Sequence, residues 1–189
     1  MRIIRGSCKG RKLVPFSGKN IRPTTDRVRE AVFNIIEPGI KKAHVLDLFA
    51  GTGANGIEAL SRGAENAVFI DISDKSCALI KKNIQVCKIK KNTLIFCHNI
   101  NKSIIPEYIK NRKFDLVFID PPYGTGFLKK ILKDLCFIKI LKHNALIIAE
   151  HSIKEDISGK MPGFDIYDQR KYGKTLISFL TKTISMKVL

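Results

Sequence analysis

The tetrapeptide Asp120-Pro121-Pro122-Tyr123 directly follows segment 114–119, which has the apolar composition of a buried strand. An exocyclic amine on a nucleobase is a poor nucleophile because its lone pair is delocalised into the ring. The Asp120 carboxylate and the Pro121 carbonyl, whose direction the two prolines restrict, are acceptors that would help to localise that pair. The Tyr123 ring offers a stacking face for an extruded base. The pattern predicts a loop that activates a planar amine, although a strand ending in a simple proline turn would look the same.

A second candidate site lies upstream, where the strand-like run 45–50 leads into a glycine-rich segment. Residues 51–56 formally match the G-x-G-x-x-G pattern of dinucleotide sites. Asp47 favours a different ligand, since its carboxylate would repel a pyrophosphate but attract the ammonium group of S-adenosylmethionine. Glycines in this turn would let the backbone approach that ligand closely. The residues predicted to line the site are Asp47, Phe49, Ala50, Gly51, Thr52 and Gly53.

Two further positions extend this predicted cofactor site. Asp71 ends the second predicted strand, twenty positions after Gly51, where a carboxylate can bind both ribose hydroxyls. Asn99 follows the third strand and could bind the adenine edge through its amide. A surface acid and a turn-forming asparagine are the alternative readings. The neighbouring residues Ile72 and Ile100 belong to the same predicted set.

The charge of the chain indicates a polyanionic partner. Its 189 residues carry 34 Lys and Arg against 17 Asp and Glu, a net charge of +17. Such an excess favours nucleic acid or an anionic membrane surface, and a lysine-rich solvated surface is the alternative. The densest basic stretch is 1–22, which contains no acidic residue.

Composition also indicates the cellular compartment and the state of the cysteines. No stretch approaches the roughly 20 apolar residues of a membrane span, and the N-terminus lacks a signal-peptide core. The sequence therefore predicts a cytoplasmic protein with no membrane partner, and a monomer is the simplest expectation. The five cysteines form no C-x-x-C pair, so we expect small core residues, with neither a disulfide framework nor a metal site.

The order of apolar segments predicts an α/β fold. Strand patterns near 44–49, 67–71, 93–97, 114–120 and 144–150 alternate with helical patterns near 54–62, 74–87, 101–111 and 127–136. A helix precedes them, with N-cap candidates in Thr24-Thr25-Asp26 and an end at Pro38-Gly39, and a hairpin through Tyr172-Gly173-Lys174 follows. We expect a mostly parallel seven-stranded sheet with a C-terminal antiparallel hairpin. Residues 1–22 would form a basic arm or hairpin, and 23–189 one Rossmann-like domain.

The chain resembles the bacterial small-subunit ribosomal RNA guanine-N2 methyltransferases of the RsmD type over essentially its whole length. The residues that carry the likeness are Ile3-Ile4-Arg5-Gly6, Lys9-Gly10-Arg11-Lys12-Leu13, Arg22-Pro23-Thr24-Thr25-Asp26-Arg27-Val28-Arg29-Glu30, Asp47-Leu48-Phe49-Ala50-Gly51-Thr52-Gly53, Glu58-Ala59-Leu60-Ser61-Arg62-Gly63-Ala64, Asp120-Pro121-Pro122-Tyr123 and Tyr172-Gly173. The resemblance implies a class I methyltransferase fold and methyl transfer from S-adenosylmethionine, leaving S-adenosylhomocysteine, to N2 of a guanine in small-subunit ribosomal RNA.

The basic arm would then hold phosphates of that RNA, either free or in the assembled small subunit. The residues predicted to bind it are Arg2, Arg5, Arg11, Lys12, Arg22, Thr24, Thr25 and Arg27. An arm that packs on the domain and is basic only by composition is the alternative. Three rival functions remain at this point: a DNA amino-methyltransferase, a nicotinamide dehydrogenase and a non-catalytic RNA-binding protein of ribosome assembly.

Overall fold

The structure is a computed structural model that describes residues 1–16, 26–89, 93–155, 157 and 163–183. The chain divides into two compact units, 1–99 and 100–189. The predicted boundary between arm and domain, after residue 22, lies outside the described residues. Within them, no helix is long and apolar enough to cross a membrane.

The first unit is built from three helices and three parallel strands. Its elements are α1 (Asp26–Ile36), a 3-10 turn (Glu37–Gly39), β1 (His44–Leu48), α2 (Ala54–Ser61), β2 (Asn66–Asp71), α3 (Asp74–Val86) and β3 (Thr93–Cys97). Leu46 pairs with Val68, and Val68 with Leu94. The first two strands are almost entirely buried, as their continuous apolar sequences predict. Their carboxyl ends therefore emerge from a well-packed core.

The N-terminal segment, residues 1–16, docks onto this unit through its own backbone. Instead of two strands it forms a single antiparallel bridge between Arg2 and Lys12. The Ile4 and Arg5 N–H groups donate to the Glu58 carboxylate at 2.7 and 3.0 Å. Ile3, Cys8 and Leu13 are buried. The segment is thus an integral part of the first unit.

The second unit contains four strands and two short helices. Its elements are β4 (Phe114–Ile119), α4 (Phe127–Lys133), α5 (Leu135–Ile140), β5 (Leu141–Ser152), β6 (Phe164–Tyr172) and β7 (Thr175–Lys182). β4 and β5 are parallel, whereas β7 is antiparallel to both β5 and β6. The strand order of the seven-stranded sheet is β3-β2-β1-β4-β5-β7-β6. The predicted mostly parallel sheet with a C-terminal antiparallel hairpin is confirmed.

Two helix predictions in this unit are wrong. Residues 101–111 contain only a 3-10 turn at Glu107–Ile109, because Pro106 lacks an N–H and disfavours a helical conformation at the residue before it. The pattern at 127–136 belongs to two helices, because Asp134 takes extended backbone angles. Its side chain caps α5 by accepting from the Phe137 N–H at 2.7 Å.

The expectation that the cysteines form no disulfide is wrong for one pair. Cys77 and Cys97 are disulfide-bonded, with Cα atoms 6.1 Å apart. The β2–α3–β3 crossover brings the first turn of α3 to the end of β3, a proximity that no local motif indicates. Cys8 and Cys87 are buried, as expected, whereas Cys136 is exposed. The described residues contain no cluster of three or more His, Cys, Asp and Glu that could hold a metal ion.

Candidate functional site

The turn between β1 and α2 is a tight backbone loop, residues 49–53, called here the glycine loop. Gly51 and Gly53 have φ angles of +56° and +76°, and Phe49 has φ +57°. Glycine accepts such angles without strain, but a non-glycine residue held there costs of order 1–3 kcal/mol. The Gly53 N–H closes the turn on the Ala50 carbonyl at 2.7 Å. The surrounding fold thus holds Phe49 in a strained conformation directly after β1.

Asp71 connects this loop to the end of β2. One carboxylate oxygen accepts from the Gly51 N–H at 2.8 Å, and the other from the Ser73 N–H at 2.9 Å. A carboxylate oxygen has two lone pairs, so each oxygen keeps an acceptor position. Asp71 is 9% exposed. It has the capacity to accept hydroxyl groups such as those of a ribose.

Asp47 is a buried carboxyl group, 2% exposed, that accepts from the Gly56 N–H at 3.0 Å. Burial raises the pKa of Asp47 to about 8; the Gly56 hydrogen bond opposes that shift and the Asp71 charge adds to it. A cation beside these two carboxylates would favour their ionised forms. A ligand that carries an ammonium group and a ribose, as S-adenosylmethionine does, would fit these two carboxylates.

The remaining predicted cofactor residues differ in exposure. The His98 N–H donates to the Asp71 carbonyl at 2.9 Å, so the segment that carries Asn99 runs beside the end of β2. Ile72 is 57% exposed, an apolar side chain that is open to a ligand such as a purine ring. Ile100 is buried, at the start of the second unit.

The tetrapeptide predicted to hold the amine is the beginning of an exposed loop in the second unit. This acceptor loop, residues 120–126, starts at the end of β4 with a partly buried Asp120 and a buried Pro121, and residues 122–126 are exposed. The Thr125 hydroxyl donates to the Pro122 carbonyl at 2.6 Å. Asp120 and the Pro121 carbonyl therefore occupy the ordered base of a loop whose tip lies in solvent.

Tyr123 has an exposed ring and an anchored hydroxyl. Its hydroxyl donates to Glu150 Oε1 at 3.1 Å and lies 2.8 Å from Thr175 Oγ1. Burial of the hydroxyl end raises the pKa of Tyr123 to about 12; the Thr175 hydrogen bond opposes the shift, and the Glu150 charge adds to it. Tyr123 is therefore a neutral phenol at physiological pH, and 43% of the residue faces solvent.

The predicted RNA-binding residues are not equivalent. Arg2, Lys12 and Arg27 are exposed. Arg5 forms an ion pair with Glu37 at 3.4 Å, and Arg11 Nη1 donates to the Val86 carbonyl at 2.6 Å. Arg22, Thr24 and Thr25 lie outside the described residues.

Sequence reasoning did not identify several polar groups that hold these regions together. Asn83 is buried in α3, where it accepts from the Val14 N–H at 2.7 Å and donates to the Thr52 carbonyl at 2.9 Å. An asparagine beside the apolar stripe of α3 was the available signal. Glu58 lies within a motif of the family resemblance but had no assigned role. Glu150 and Thr175 carry no local signal, because their partner is distant in the sequence.

Comparison with known proteins agrees with the sequence motifs. The family model described as Conserved hypothetical protein 95 matches residues 1–181. Ribosomal RNA small subunit methyltransferase D of Escherichia coli K12 is 33% identical over 92% of this chain and 86% of that protein. The Escherichia coli protein yhhF has a solved structure with a TM-score of 0.79 and 31% identity, covering 96% of this chain and 97% of that one.

A further solved structure with a similar fold contains a bound ligand. SMU.776, in complex with S-adenosylhomocysteine, gives a TM-score of 0.67 at 18% identity, over 81% of this chain and 49% of that chain. At this identity the likeness concerns the fold alone, which is the Rossmann-like fold of methyltransferases. The predicted family and fold are both confirmed. The chain belongs to the Conserved hypothetical protein 95 family, which is the family of the ribosomal RNA small subunit methyltransferase D proteins.

Proposed function

We propose that this chain transfers a methyl group from S-adenosylmethionine to the N2 amine of a guanine in small-subunit ribosomal RNA. The observation that carries the proposal is the pair of carboxylates beside the glycine loop. Asp71 fixes that loop while keeping acceptor positions, and Asp47 beside it is a buried carboxyl group whose ionised form a cationic ligand would stabilise. Membership of a family whose members are named as small-subunit ribosomal RNA methyltransferases supports the RNA substrate.

In the donor site, each residue has a distinct task. Asp47 binds the ammonium group and Asp71 the ribose hydroxyls, while Ile72 and Asn99 bind the adenine. When bound, S-adenosylmethionine supplies an electrophilic methyl group on a sulfonium. Gly51 and Gly53 of the glycine loop have no side chain, so the backbone there can approach the ligand closely. A pyrophosphate in the same place would be repelled by the ionised form of Asp47 and could not stabilise it as an ammonium group would, which argues against a nicotinamide dinucleotide.

In the acceptor loop, Asp120 and the Pro121 carbonyl accept hydrogen bonds from the guanine amine and orient its lone pair. The Tyr123 ring stacks on the extruded base, an interaction that contributes about 1–3 kcal/mol per base. The amine loses one proton during methylation, and Asp120 would accept the hydrogen bond from that N–H. Water takes the proton if the carboxylate only orients the amine.

The exposed cations of the first unit would contact RNA phosphates. Arg2, Lys12 and Arg27 have the required exposure. Replacing all three with glutamine should lower RNA affinity and reduce the slope of log affinity against log salt by about 0.7–0.9 per lost contact. Lys142, which pairs with Asp115 at 2.8 Å, provides the control through Lys142→Gln. An unchanged slope in the triple variant would show that these three residues do not contact RNA phosphates.

The reaction is tested with purified components. The protein is incubated with methyl-labelled S-adenosylmethionine and small-subunit ribosomal RNA, free or as assembled subunits, from cells that lack the modification. Nucleoside analysis should find the label in N2-methylguanosine. Label in a different nucleoside, or transfer only to duplex DNA, would overturn the proposal. Calorimetry should show binding of S-adenosylmethionine and none of NAD; no binding of either would favour a non-catalytic RNA-binding protein.

A further inference from the structure

Tyr123 combines an exposed ring with a fully engaged hydroxyl. A tyrosine on a solvent-exposed loop can satisfy its hydroxyl with water, yet this one contacts two protein side chains, at 3.1 Å and 2.8 Å. The phenol has a single proton, which it donates to Glu150. Thr175 must then donate its own proton to the phenolic oxygen. The two contacts together determine the direction of the hydroxyl, and with it the plane of the ring.

Both anchors belong to strands and not to loops. Glu150 lies in β5, and Thr175 is the first residue of β7, where it pairs with Ser152 of β5 and Tyr172 of β6. Thr175 is 7% exposed, so its rotamer is restricted by packing. The turn before it is fixed to the sheet, since the Ile153 N–H donates to the Lys174 carbonyl at 3.1 Å. The Tyr172-Gly173 motif is the turn that brings Thr175 to this position.

Without these contacts the ring would rotate freely on an exposed loop. Immobilising such a side chain on binding lowers affinity by a factor of about 2 to 10, which a ring ordered in advance avoids. The Thr125 hydroxyl orders the loop backbone in the same sense through the Pro122 carbonyl. The arrangement therefore favours a preformed stacking platform.

We propose that Glu150 and Thr175 are positioning residues that hold the Tyr123 ring for stacking on the target base. The C-terminal hairpin, β6 and β7, thereby contributes to RNA substrate binding through the turn at Tyr172-Gly173. The inference rests on the proposed function, because the stacked partner is the guanine of that reaction.

Kinetics provide the first test. Thr175→Val and Tyr123→Phe should each raise the KM for RNA about 2- to 10-fold and leave the Kd for S-adenosylmethionine unchanged. Thr175→Ser, which restores a hydroxyl, should return KM to the wild-type value. Thr181→Val, on the same strand, is the control for loss of a β7 hydroxyl. Equal KM values for the wild type, Thr175→Val and Tyr123→Phe would overturn the proposal.

A second measurement does not depend on methyl transfer. In protein labelled with 3-fluorotyrosine, the ¹⁹F resonance of Tyr123 is assigned by its loss in Tyr123→Phe. Thr175→Val should shift and sharpen this resonance toward that of Tyr108, which is 86% exposed. A Tyr123 resonance that Thr175→Val leaves unchanged would show that no anchor exists. If the wild type orders Tyr123 but methylates no RNA, the proposed function fails and the anchoring still holds.

Discussion

The donor region, which comprises the glycine loop with Asp47 and Asp71, and the acceptor loop present their chemical groups in opposite ways. In the donor region, Asp47 and Asp71 are 2% and 9% exposed, and both accept hydrogen bonds from backbone N–H groups. In the acceptor loop, every residue from Pro122 to Gly126 is exposed, and the described tethers are the side chains of Tyr123 and Thr125.

This difference corresponds to the two ligands that we propose. A donor that is small and identical in every turnover suits a rigid, preformed site built from backbone groups. A base belonging to a large RNA must enter from solvent, which suits an exposed loop whose stacking ring is held by side-chain hydrogen bonds. Substitutions should therefore separate into two groups: donor-region changes that alter donor affinity or stability, and acceptor-loop changes that alter kcat and the KM for RNA.

The largest expected effect is on catalysis by the acceptor loop. Asp120→Asn removes the carboxylate that accepts from the amine and should lower kcat by about 100-fold or more. The Kd for S-adenosylmethionine, measured by calorimetry, should stay within about twofold because the donor region is intact. Asp115→Asn, in the preceding strand, is the control and should leave kcat unchanged. Unchanged kcat in Asp120→Asn would remove Asp120 from the mechanism.

Next in size is donor affinity. Asp71→Asn loses the charge that accepts from Gly51 and Ser73, and hydrogen bonds to charged groups contribute about 1.5–3 kcal/mol. The Kd for S-adenosylmethionine should rise about 10- to 150-fold. At saturating donor, kcat should change little. Asp74→Asn, at an exposed position in the first turn of α3, is the matched control. A donor Kd equal to wild type would contradict the ribose-binding role.

Glycine substitutions compare the rigidity of the two regions. A Cβ at Gly56 would lie 2.3 Å from the Phe69 ring, whereas one at Gly124 would meet nothing within 4 Å. Gly56→Ala should lower the free energy of unfolding by about 1–3 kcal/mol through overpacking. Gly124→Ala should cost only the strain of its φ of +73°, about 1 kcal/mol. Urea unfolding measures both, and a larger loss at Gly124 would reverse the comparison.

Per unit of pH, the smallest expected effect is the pH dependence of donor affinity. In the ligand-free protein, burial raises the pKa of Asp47 from 3.8 to about 8, so the carboxyl is largely protonated below that pH. Binding an ammonium group requires the carboxylate, hence a proton must be released. The Kd for S-adenosylmethionine should rise by up to about tenfold for each pH unit below 8. Asp47→Asn should bind more weakly without this dependence.

The raised pKa of Asp47 also determines whether the folded protein gains or loses stability as the pH rises. A carboxyl whose pKa is higher in the folded state stabilises that state fully below the unfolded pKa of 3.8, and the contribution is lost as the pH rises through about 8. In the absence of S-adenosylmethionine, the wild type should therefore lose stability relative to Asp47→Asn as the pH rises from 3.8 to about 8. Denaturant unfolding at pH 5 and pH 8 measures the difference. A wild-type protein that gains stability relative to Asp47→Asn on going to pH 8 would contradict the raised pKa.

Local patterns were sufficient to predict the repeating part of the fold. The alternation of apolar runs with helical stripes located β1 to β5, and the twenty-residue spacing from Gly51 located Asp71 at the end of β2. These features depend on neighbouring residues and on the strict geometry of the β-α-β unit. Pro106 is also a local signal, and it opposes the helix predicted over 101–111.

Contacts between distant residues could not be predicted in this way. The Cys77–Cys97 disulfide, the Asn83 contacts with Val14 and Thr52, and the Thr175 contact with Tyr123 all depend on tertiary packing. The same is true of the N-terminal segment, whose charge indicated RNA but whose backbone is held by Glu58. Composition identified the charge, and only the structure shows that Arg5 and Arg11 contact other residues of the protein.

The central claim is tested most directly by mapping methylated nucleotides in ribosomal RNA. An Escherichia coli strain that lacks its own small subunit methyltransferase D would carry this chain, its Asp120→Asn variant or neither. Mass spectrometry should find one guanine of the small-subunit RNA methylated at N2 with the wild-type chain, and unmethylated in the other two strains. A methyl group on another atom or another RNA, or full methylation by Asp120→Asn, would contradict the account.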